Sequence, residues 1–270
     1  HYPVRERSSY TDNRPWELRA SPSDLTRLAD GSSQWEYNSD TRRVCVVPTE
    51  ETERETSDEH RGEKAGAESG ESEWTSADVF GQAVHRLCEV RPPRNEWEQF
   101  INQVAAEKHQ PGETARATAV PSAALPDIET AAERAVEFVD ELHDRVGPQA
   151  SYDEFPVTLT REQAELQGFI DHLVVTEESY YIIDYKTDRK SDDETVGAFL
   201  DRRATHHEPQ VKAYAAALQE ADPARTTEAR LFFTDVNEPY RWTHAELESA
   251  TEYVDERVRD GLPNAGAGQH

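Results

Sequence analysis

Two short runs of β-branched and aromatic residues lie close together in the second half of the chain. Phe169–Val175 and Tyr180–Asp184 flank a polar turn, which is typical of a β-hairpin with a loop of about four or five residues. Asp184 and Lys186 are two residues apart, so they share one face of their strand. Asp171, on the partner strand, is expected to reach the same face. Two carboxylates held together at the rim of a sheet repel each other unless a cation lies between them.

Hydrophobic periodicity predicts further elements on both sides of this hairpin. The expected strands are Gln34–Tyr37, Arg42–Val47, Tyr152–Leu159, Arg230–Thr234 and Tyr240–Thr243. The expected helices are Ser21–Ala29, Val79–Cys88, Asn95–Lys108, Asp127–Val146, Glu194–Arg203, His207–Leu218 and Leu247–Val258. Pro156 indicates an edge strand or a bulge, because proline cannot donate to a ladder. The long helices are expected to cover the sheet.

Two stretches interrupt the pattern. Residues 49–73 contain no apolar side chain larger than alanine, so they cannot bury enough surface to offset the entropy of ordering and are predicted to be a disordered insertion. Residues 110–126 are rich in proline, alanine and threonine and are predicted to be a linker. We therefore expect one domain over residues 21–260, preceded by a polar segment at 1–20 and followed by a tail at 261–270.

The composition narrows the class of protein. The 270 residues suffice for one large domain or two small ones. They include no methionine, which indicates an excised domain, a processed product or a fragment of a longer chain. No apolar run approaches the roughly 20 residues that cross a bilayer, so no membrane partner is expected. Cys45 and Cys88 are too few for a disulfide framework, and a reducing cytoplasm is expected.

The chain is strongly acidic. Its formal net charge is −26, with only five lysines against 24 arginines, which would ordinarily argue against a nucleic-acid partner. In molar salt the Debye length falls to about 3 Å, so repulsion from DNA is screened. The surface composition is similar to that of proteins from salt-loving archaea. The alternative is an acidic interaction protein from an ordinary cytoplasm.

The hairpin resembles the core of the PD-(D/E)XK nucleases. The resemblance is carried by Gly168-x-x-Asp171 and by residues 183–187, which read Ile-Asp-Tyr-Lys-Thr. It is closest to the RecB-type branch found at the C-termini of UvrD-like and AddA-like helicases. It implies a restriction-endonuclease-like α/β core, with a mixed β-sheet flanked by helices, and a metal-dependent DNA nuclease activity.

Three weaker motifs follow the same family order. Residues 81–89 resemble its G-x-x-x-H-x-x-x-E helix, in which the histidine binds metal; a lone helical histidine is more often structural, but the hairpin favours a ligand role for His85. Gln210 and Tyr214 lie on one helical face and resemble the Q-x-x-x-Y motif, which orients substrate and the active-site lysine. Glu154 resembles the acidic residue of an E-x-P strand, which lies near the metal site. An exposed strand-edge glutamate is an equally good interpretation of Glu154.

The resemblance implies a role for each matched residue. The expected metal ligands are His85, Asp171, Asp184 and the backbone carbonyl of Tyr185. Oxygen ligands with one imidazole suit Mg²⁺, or Mn²⁺, better than Zn²⁺. Lys186 would orient or help to deprotonate the attacking water, or stabilise charge on the phosphate. Gln210 and Tyr214 would not bind the metal themselves but would support the groups that do, on the side toward the DNA.

The same resemblance indicates partners. The sequence has no Walker A loop, so a helicase domain or subunit is expected in cis or in trans, with DNA as substrate and a role in repair or recombination. Family members with an iron–sulfur cluster have one cysteine after the first helix and three near the C-terminus; Cys45 and Cys88 do not suit that arrangement, so no cluster is expected. One alternative is a catalytically silent DNA-binding or protein-docking module, and another is an unrelated acidic α/β protein.

Overall fold

Eight strands and six α-helices occupy the part of the chain that the structure describes. This computed structural model describes residues 17–20, 33–38, 43–48, 77–107, 120, 124–161 and 164–261. The strands are β1 (Glu17–Ala20), β2 (Ser33–Asn38), β3 (Arg43–Pro48), β4 (Ala150–Thr160), β5 (Ala164–Val175), β6 (Ser179–Lys186), β7 (Thr226–Phe233) and β8 (Glu238–Trp242). The helices are α1 (Ala77–Val90), α2 (Trp97–Glu107), α3 (Leu125–Val146), α4 (Val196–Ala221), α5 (His244–Leu247) and α6 (Ala250–Gly261), with a 3₁₀ turn at Arg94–Glu96.

All eight strands form one mixed sheet. Its order is β2-β3-β1-β5-β6-β7-β8, and β4 also pairs with β5. β1 runs parallel to β3 and β5, and β6 runs parallel to β7, whereas the other pairs are antiparallel. Among the described strands, β4 pairs only with β5, which agrees with the edge position predicted from Pro156.

Strand β5 organises the sheet around a gap. β4 follows nearly its whole length on one side. On its other side, β1 pairs with Ala164–Leu166 and β6 pairs with His172–Val175. The stretch between these two pairings ends at Asp171. The sheet is therefore open beside one of the two carboxylates that the hairpin motif contains.

Two tightly packed layers cover the sheet. One core lies between the sheet and helices α4 and α6, and the other lies between the sheet and helices α1, α2 and α3. Ile182 and Ile183 are neighbours on β6 and point into opposite cores, as strand alternation requires. Cys88 is a buried, free thiol in the second core. None of the described helices combines the length and the apolar character needed to cross a bilayer.

The N-terminal segment departs from the prediction. Residues 1–20 are predicted to be a polar segment that precedes the domain, but Glu17–Ala20 forms β1 between β3 and β5. A four-residue strand is too short to show alternation, and its pairing partners are distant in sequence. The helix expected near Ser21, the insertion at 49–73 and most of the linker lie outside the described residues.

Prolines account for two further departures. The helices predicted at 194–203 and 207–218 form a single helix, α4, of 26 residues that contains Pro209. An internal proline costs about 3 kcal/mol, but both halves of α4 bury apolar side chains in the same core, which offsets that cost. Pro126 was placed in the linker, whereas α3 begins one residue before it. Proline suits a first helical turn, because the missing amide has no partner there.

Candidate active site

Three carboxylates lie in one row across neighbouring strands. In the antiparallel register of β4 and β5, Glu154 lies opposite Asp171. The register of β5 and β6, continued by one step, sets Asp171 opposite Asp184. The ladder between β4 and β5 is interrupted at this row, and the ladder between β5 and β6 stops next to it, at His172. The acidic row therefore coincides with the place where the strands separate.

The backbone is distorted at this row. Glu154 has a φ of 48°, in the left-handed region that non-glycine residues seldom adopt. Ile170 and Leu173 face the same core although they are three residues apart, so the alternation of β5 shifts by one position here. The amide of Tyr185 donates to Asp171 Oδ2 at 2.8 Å. A side-chain oxygen thus takes the place of a backbone partner.

Helix α1 brings His85 to the row. His85 Nδ1 lies 3.2 Å from Asp171 Oδ1, and its ring meets the ring of Tyr185 edge-on, with centroids 5.9 Å apart. Gly81 lies one turn earlier on the same helical face. A Cβ at Gly81 would lie 3.1 Å from Thr187 Oγ1, so the glycine allows the helix to approach the end of β6 closely.

The expected ligands fall into two adjoining groups. Ligand atoms of His85, Glu154 and Asp171 all lie within 4.8 Å of one another. Glu154, which the sequence left between two interpretations, therefore belongs to the cluster by position. Asp184 occupies the same row, but its Oδ2 lies 2.6 Å from Lys186 Nζ. The side-by-side placement of Asp184 and Lys186 is the one that strand alternation predicts.

A hydrogen-bonded network holds the second group. Gln210 Oε1 accepts from Lys186 Nζ at 3.0 Å. Gln210 Nε2 donates to Asp184 Oδ1 at 3.3 Å and to the Tyr214 hydroxyl at 3.1 Å. Gln210 and Tyr214 come from the same face of α4, one turn apart. The structure therefore brings all four of these predicted side chains together.

The ionisable side chains of the site have pKa values that are shifted in different directions. Burial lowers the pKa of the His85 imidazole, but the charge and hydrogen bond of Asp171 outweigh burial and raise that pKa to about 9. Burial favours a raised pKa at Asp171, yet His85 and Lys186 hold the pKa of this carboxyl below its ordinary value. Burial raises the pKa of Asp184 despite the opposing charge of Lys186, and the nearby Asp171 adds to the increase. Burial and Asp171 also raise the pKa of Glu154.

A buried polar chain adjoins the row, and sequence reasoning missed it. His172 is 2% exposed, and its Nδ1 lies 2.6 Å from Asp153 Oδ1. Its Nε2 faces His143 Nε2, on α3, at 3.1 Å. His172 follows Asp171 and Asp153 precedes Glu154, so the chain joins the flanks of both carboxylates. The available signal was a histidine within an otherwise apolar strand run.

Two basic residues, Arg189 and Lys190, follow β6. The guanidinium of Arg189 lies 5.7 Å from the centre of the Phe80 ring, and its side chain is 71% exposed. Lys190 Nζ instead donates to the carbonyl oxygens of Ser191 and Glu194, at 2.7 and 3.0 Å. Arg189 therefore has the more accessible charge of the two.

The donor set suits a hard divalent cation. Carboxylate oxygens with one imidazole are ligands of Mg²⁺ and Mn²⁺. Among the described residues, no hydrogen-bond donor is aligned with the buried Asp184 Oδ2, although Lys186 lies within ion-pair distance of it. This oxygen therefore keeps a lone pair for a further electrophile. A divalent cation held by carboxylates in this arrangement would neutralise a phosphodiester and position an attacking water.

Known proteins share sequence and shape with this chain. A stretch of 103 residues is 29% identical to an ATP-dependent helicase/nuclease subunit of Carboxydothermus hydrogenoformans, and the match covers 33% of this chain and 8% of that relative. The chain thus spans less than a tenth of the length of this relative. A crystal structure from Eubacterium rectale, assigned as an exonuclease, shares 14% identity with a TM-score of 0.46, over 90% of this chain and 79% of that one.

A sequence-family model decides the classification. The model of the PD-(D/E)XK nuclease superfamily matches residues 19–265. The match includes the acidic row, the lysine of the hairpin, the helix of His85 and the helix of Gln210. It extends over far more than half of the chain, and the chain therefore belongs to the PD-(D/E)XK nuclease superfamily.

Proposed function

We propose that this chain is a divalent-metal-dependent deoxyribonuclease domain that hydrolyses phosphodiester bonds. One observation carries the proposal: Glu154, Asp171 and Asp184 share a row at the point where the sheet opens, with Lys186 beside them. Holding three carboxylates so close is unfavourable without a cation. In a member of this nuclease superfamily, a catalytic metal site is the function that best accounts for that cost.

The cation would be held by His85, Asp171 and Asp184, with the carbonyl of Tyr185 and with Glu154 as a further candidate. Mg²⁺ is the expected ion, and Mn²⁺ would serve as well. When bound, it would neutralise the phosphate and lower the pKa of an attacking water. The superfamily requires no covalent intermediate, so none of these side chains has to act as a nucleophile.

Lys186 would act on the water or on the phosphate. Its ammonium has three protons; it donates one to Gln210 and forms an ion pair with Asp184. A further proton remains for a phosphate or water oxygen, where a positive charge stabilises the transition state. Gln210 fixes the direction of that proton, because its amide oxygen holds Lys186 while its amide nitrogen holds Asp184 and Tyr214.

A relative supports the choice of partner. The relative from Carboxydothermus hydrogenoformans is named as part of a helicase/nuclease. We propose that this chain likewise supplies the nuclease part of a helicase–nuclease, joined to its motor in cis or in trans, and acts in DNA repair or recombination. A helicase would supply unwound DNA to the acidic row.

The direct test is a cleavage assay. Labelled single- and double-stranded DNA is incubated with the protein at high salt, with Mg²⁺, Mn²⁺ or EDTA. We expect metal-dependent cleavage that Asp184→Ala and Lys186→Ala abolish. Thr226→Val is the matched control, because Thr226 makes a side-chain contact between strands at the far end of β6, with Ser179 at 2.7 Å.

The same assay separates the alternative function. Folded wild-type protein that binds DNA without cutting it, at every salt concentration and with either metal, would contradict catalysis. That outcome would favour the catalytically silent DNA-binding or docking module.

A further inference from the structure

A cleft opens next to the end of β6. Its volume is about 330 Å³, at the lower end of the range of about 300–1,000 Å³ that small-molecule sites occupy. The walls combine one aromatic ring with cationic, hydroxyl and carboxylate groups. Its lining includes Phe80, Asp127, Arg134, Thr187, Arg189 and Asp235.

The cleft adjoins the candidate active site. Thr187, in its wall, directly follows Lys186. Phe80 and Gly81 lie about one helical turn before His85 on α1, and Gly81 is the residue that meets Thr187 closely. Because a helical turn advances about 5.4 Å, the cleft is close enough to the acidic row for a DNA strand bound at the row to reach it.

Hydrogen bonds hold the walls in place. Arg134, on α3, donates to the carbonyl oxygens of Thr234 and Asp235 at 2.8 and 3.1 Å. The amide of Lys190 donates to Asp235 Oδ2 at 3.0 Å. The loops after β6 and β7 are thus tied to each other and to α3. A preformed cleft of this kind loses little entropy when it binds a ligand.

The chemistry of the cleft suits a nucleobase. Phe80 offers a ring face, and aromatic rings stack on any base. The guanidinium of Arg189 lies over that ring and is largely exposed, so it can reach a phosphate at the rim. Asp127, which is largely exposed and whose carboxylate lies 3.9 Å from Arg189, and Asp235 also line the cleft, and their negative charges disfavour a phosphate inside it. The base would therefore enter, while its phosphate stays outside beside Arg189.

We propose that this cleft binds one unpaired nucleotide of the DNA strand next to the phosphate that is cut. The inference rests on the proposed nuclease function and adds a substrate class to it. A cleft of this volume accommodates one base with its sugar and excludes a base pair. The preferred substrate is therefore single-stranded or frayed DNA, which is what a helicase partner delivers.

The test uses single-stranded oligonucleotides with 2-aminopurine at successive positions, because stacking on an aromatic ring quenches its fluorescence. Binding is measured at high salt with Ca²⁺. We expect quenching at one position in the wild type and loss of that quenching in Phe80→Leu, with binding weakened about fivefold or more. Arg189→Gln should weaken binding but retain the quenching, because the ring remains.

Tyr181→Leu is the matched control. Tyr181 is also a half-buried aromatic residue beneath a guanidinium, with Arg230 at 4.9 Å, but it lies at the other end of β6. It should leave quenching unchanged. The proposed role of the cleft would be overturned if Phe80→Leu quenched like the wild type, or if the wild type cut DNA without quenching at any position. Either result would leave the proposed nuclease function standing. A folded wild type that neither binds nor cuts DNA would overturn both.

Discussion

Gln210 shows how a single side chain can set the geometry of a reactive group. Its amide has one accepting end and one donating end, and the two ends face partners of opposite charge. Lys186 meets the oxygen, and Asp184 meets the nitrogen. If the amide were flipped, its oxygen would face the Asp184 carboxylate and its nitrogen would face the Lys186 ammonium, which is unfavourable at both contacts. The side chain is also 6% exposed, so water does not compete for these bonds.

Replacing Gln210 with leucine should therefore impair turnover. Lys186 and Asp184 would each lose an orienting partner, and we expect a decrease in kcat of about 10- to 100-fold at saturating metal. Gln219→Leu is the control on the same helix, since Gln219 only caps the carbonyl of Leu247, at 3.0 Å. Equal losses of kcat in the two variants would contradict an orienting role for Gln210.

The raised pKa of His85 predicts that the free energy of unfolding of the metal-free protein depends on pH. The folded-state pKa of His85 is raised to about 9, above the ordinary value of about 6.5. Protonated His85 therefore stabilises the folded state fully below pH 6.5, and this contribution is lost as the pH rises through 9. The free energy of unfolding should decrease by roughly 1–3 kcal/mol. Urea unfolding in EDTA should reveal this decrease in the wild type. His85→Gln should lack it, and an identical decrease in that variant would refute the assignment.

At the scale of elements, the row of Glu154 and Asp171 depends on its neighbours. Glu154 has a left-handed φ and the side-chain alternation of β5 shifts at this row. The pairing of β4 with β5 is interrupted there, so regular ladder hydrogen bonds do not fix the two carboxylates. The chain of Asp153, His172 and His143 ties the two strands to α3 immediately beside the row. We interpret these three residues as positioning residues for the carboxylates.

Substitutions at His172 test that interpretation. Leucine removes both hydrogen bonds, and we expect the affinity for Mn²⁺ to decrease about 10- to 100-fold. Asparagine can place an amide nitrogen where Nδ1 lies, so His172→Asn should recover most of the affinity. Titration calorimetry with Mn²⁺ measures both variants. Comparable affinities in the leucine and asparagine variants would show that the bond to Asp153 has no positioning role.

Local pattern was sufficient to predict much of the fold. The hairpin of β5 and β6, the helix of His85 and the two strands β2 and β3 are confirmed, because each shows its own periodicity or turn. The restriction-endonuclease-like α/β core, a mixed sheet flanked by helices, is confirmed as well. β1 and the continuity of α4 through Pro209 were missed, since both depend on contacts with residues distant in sequence.

The site was less accessible to prediction. Strand alternation is sufficient to predict that Asp184 and Lys186 lie together. It gives no basis for predicting that Glu154 turns toward Asp171, because that position needs a left-handed φ and a shift of alternation in both strands. The contact of His172 with His143 likewise joins a strand to a helix through tertiary packing. Such geometry arises only when both layers are assembled on the sheet.

At the scale of the whole molecule, the most prominent property is the net negative charge. The acidic groups behind the formal charge of −26 repel one another and would also repel a DNA backbone. Under the proposed function, the site would therefore attract DNA through local groups such as Arg189 and a bound cation. The surrounding charge acts over a Debye length of about 10 Å at 0.1 M salt and about 3 Å at 1 M. We propose that the protein is adapted to high salt.

Salt should consequently act in the reverse of the usual direction. For most DNA-binding proteins, affinity falls steeply as salt increases. For this chain, raising KCl from about 0.1 M to about 2 M should increase both the melting temperature and the affinity for single-stranded DNA, because screening relieves repulsion in each case. Thermal unfolding and fluorescence anisotropy measure the two effects. A melting temperature that stays constant or falls with KCl would contradict adaptation to salt.

The two cores on opposite faces of the sheet have a consequence for when the proposed nuclease could become active. His85 belongs to the helical layer on one face, and Gln210 belongs to the layer on the other. Regions of a protein can open and close as separate cooperative units. A newly made or partly opened chain with only one layer docked lacks one half of the reactive centre. Under the proposed function, cleavage would therefore be restricted to molecules that have completed folding, without the need for an inhibitor.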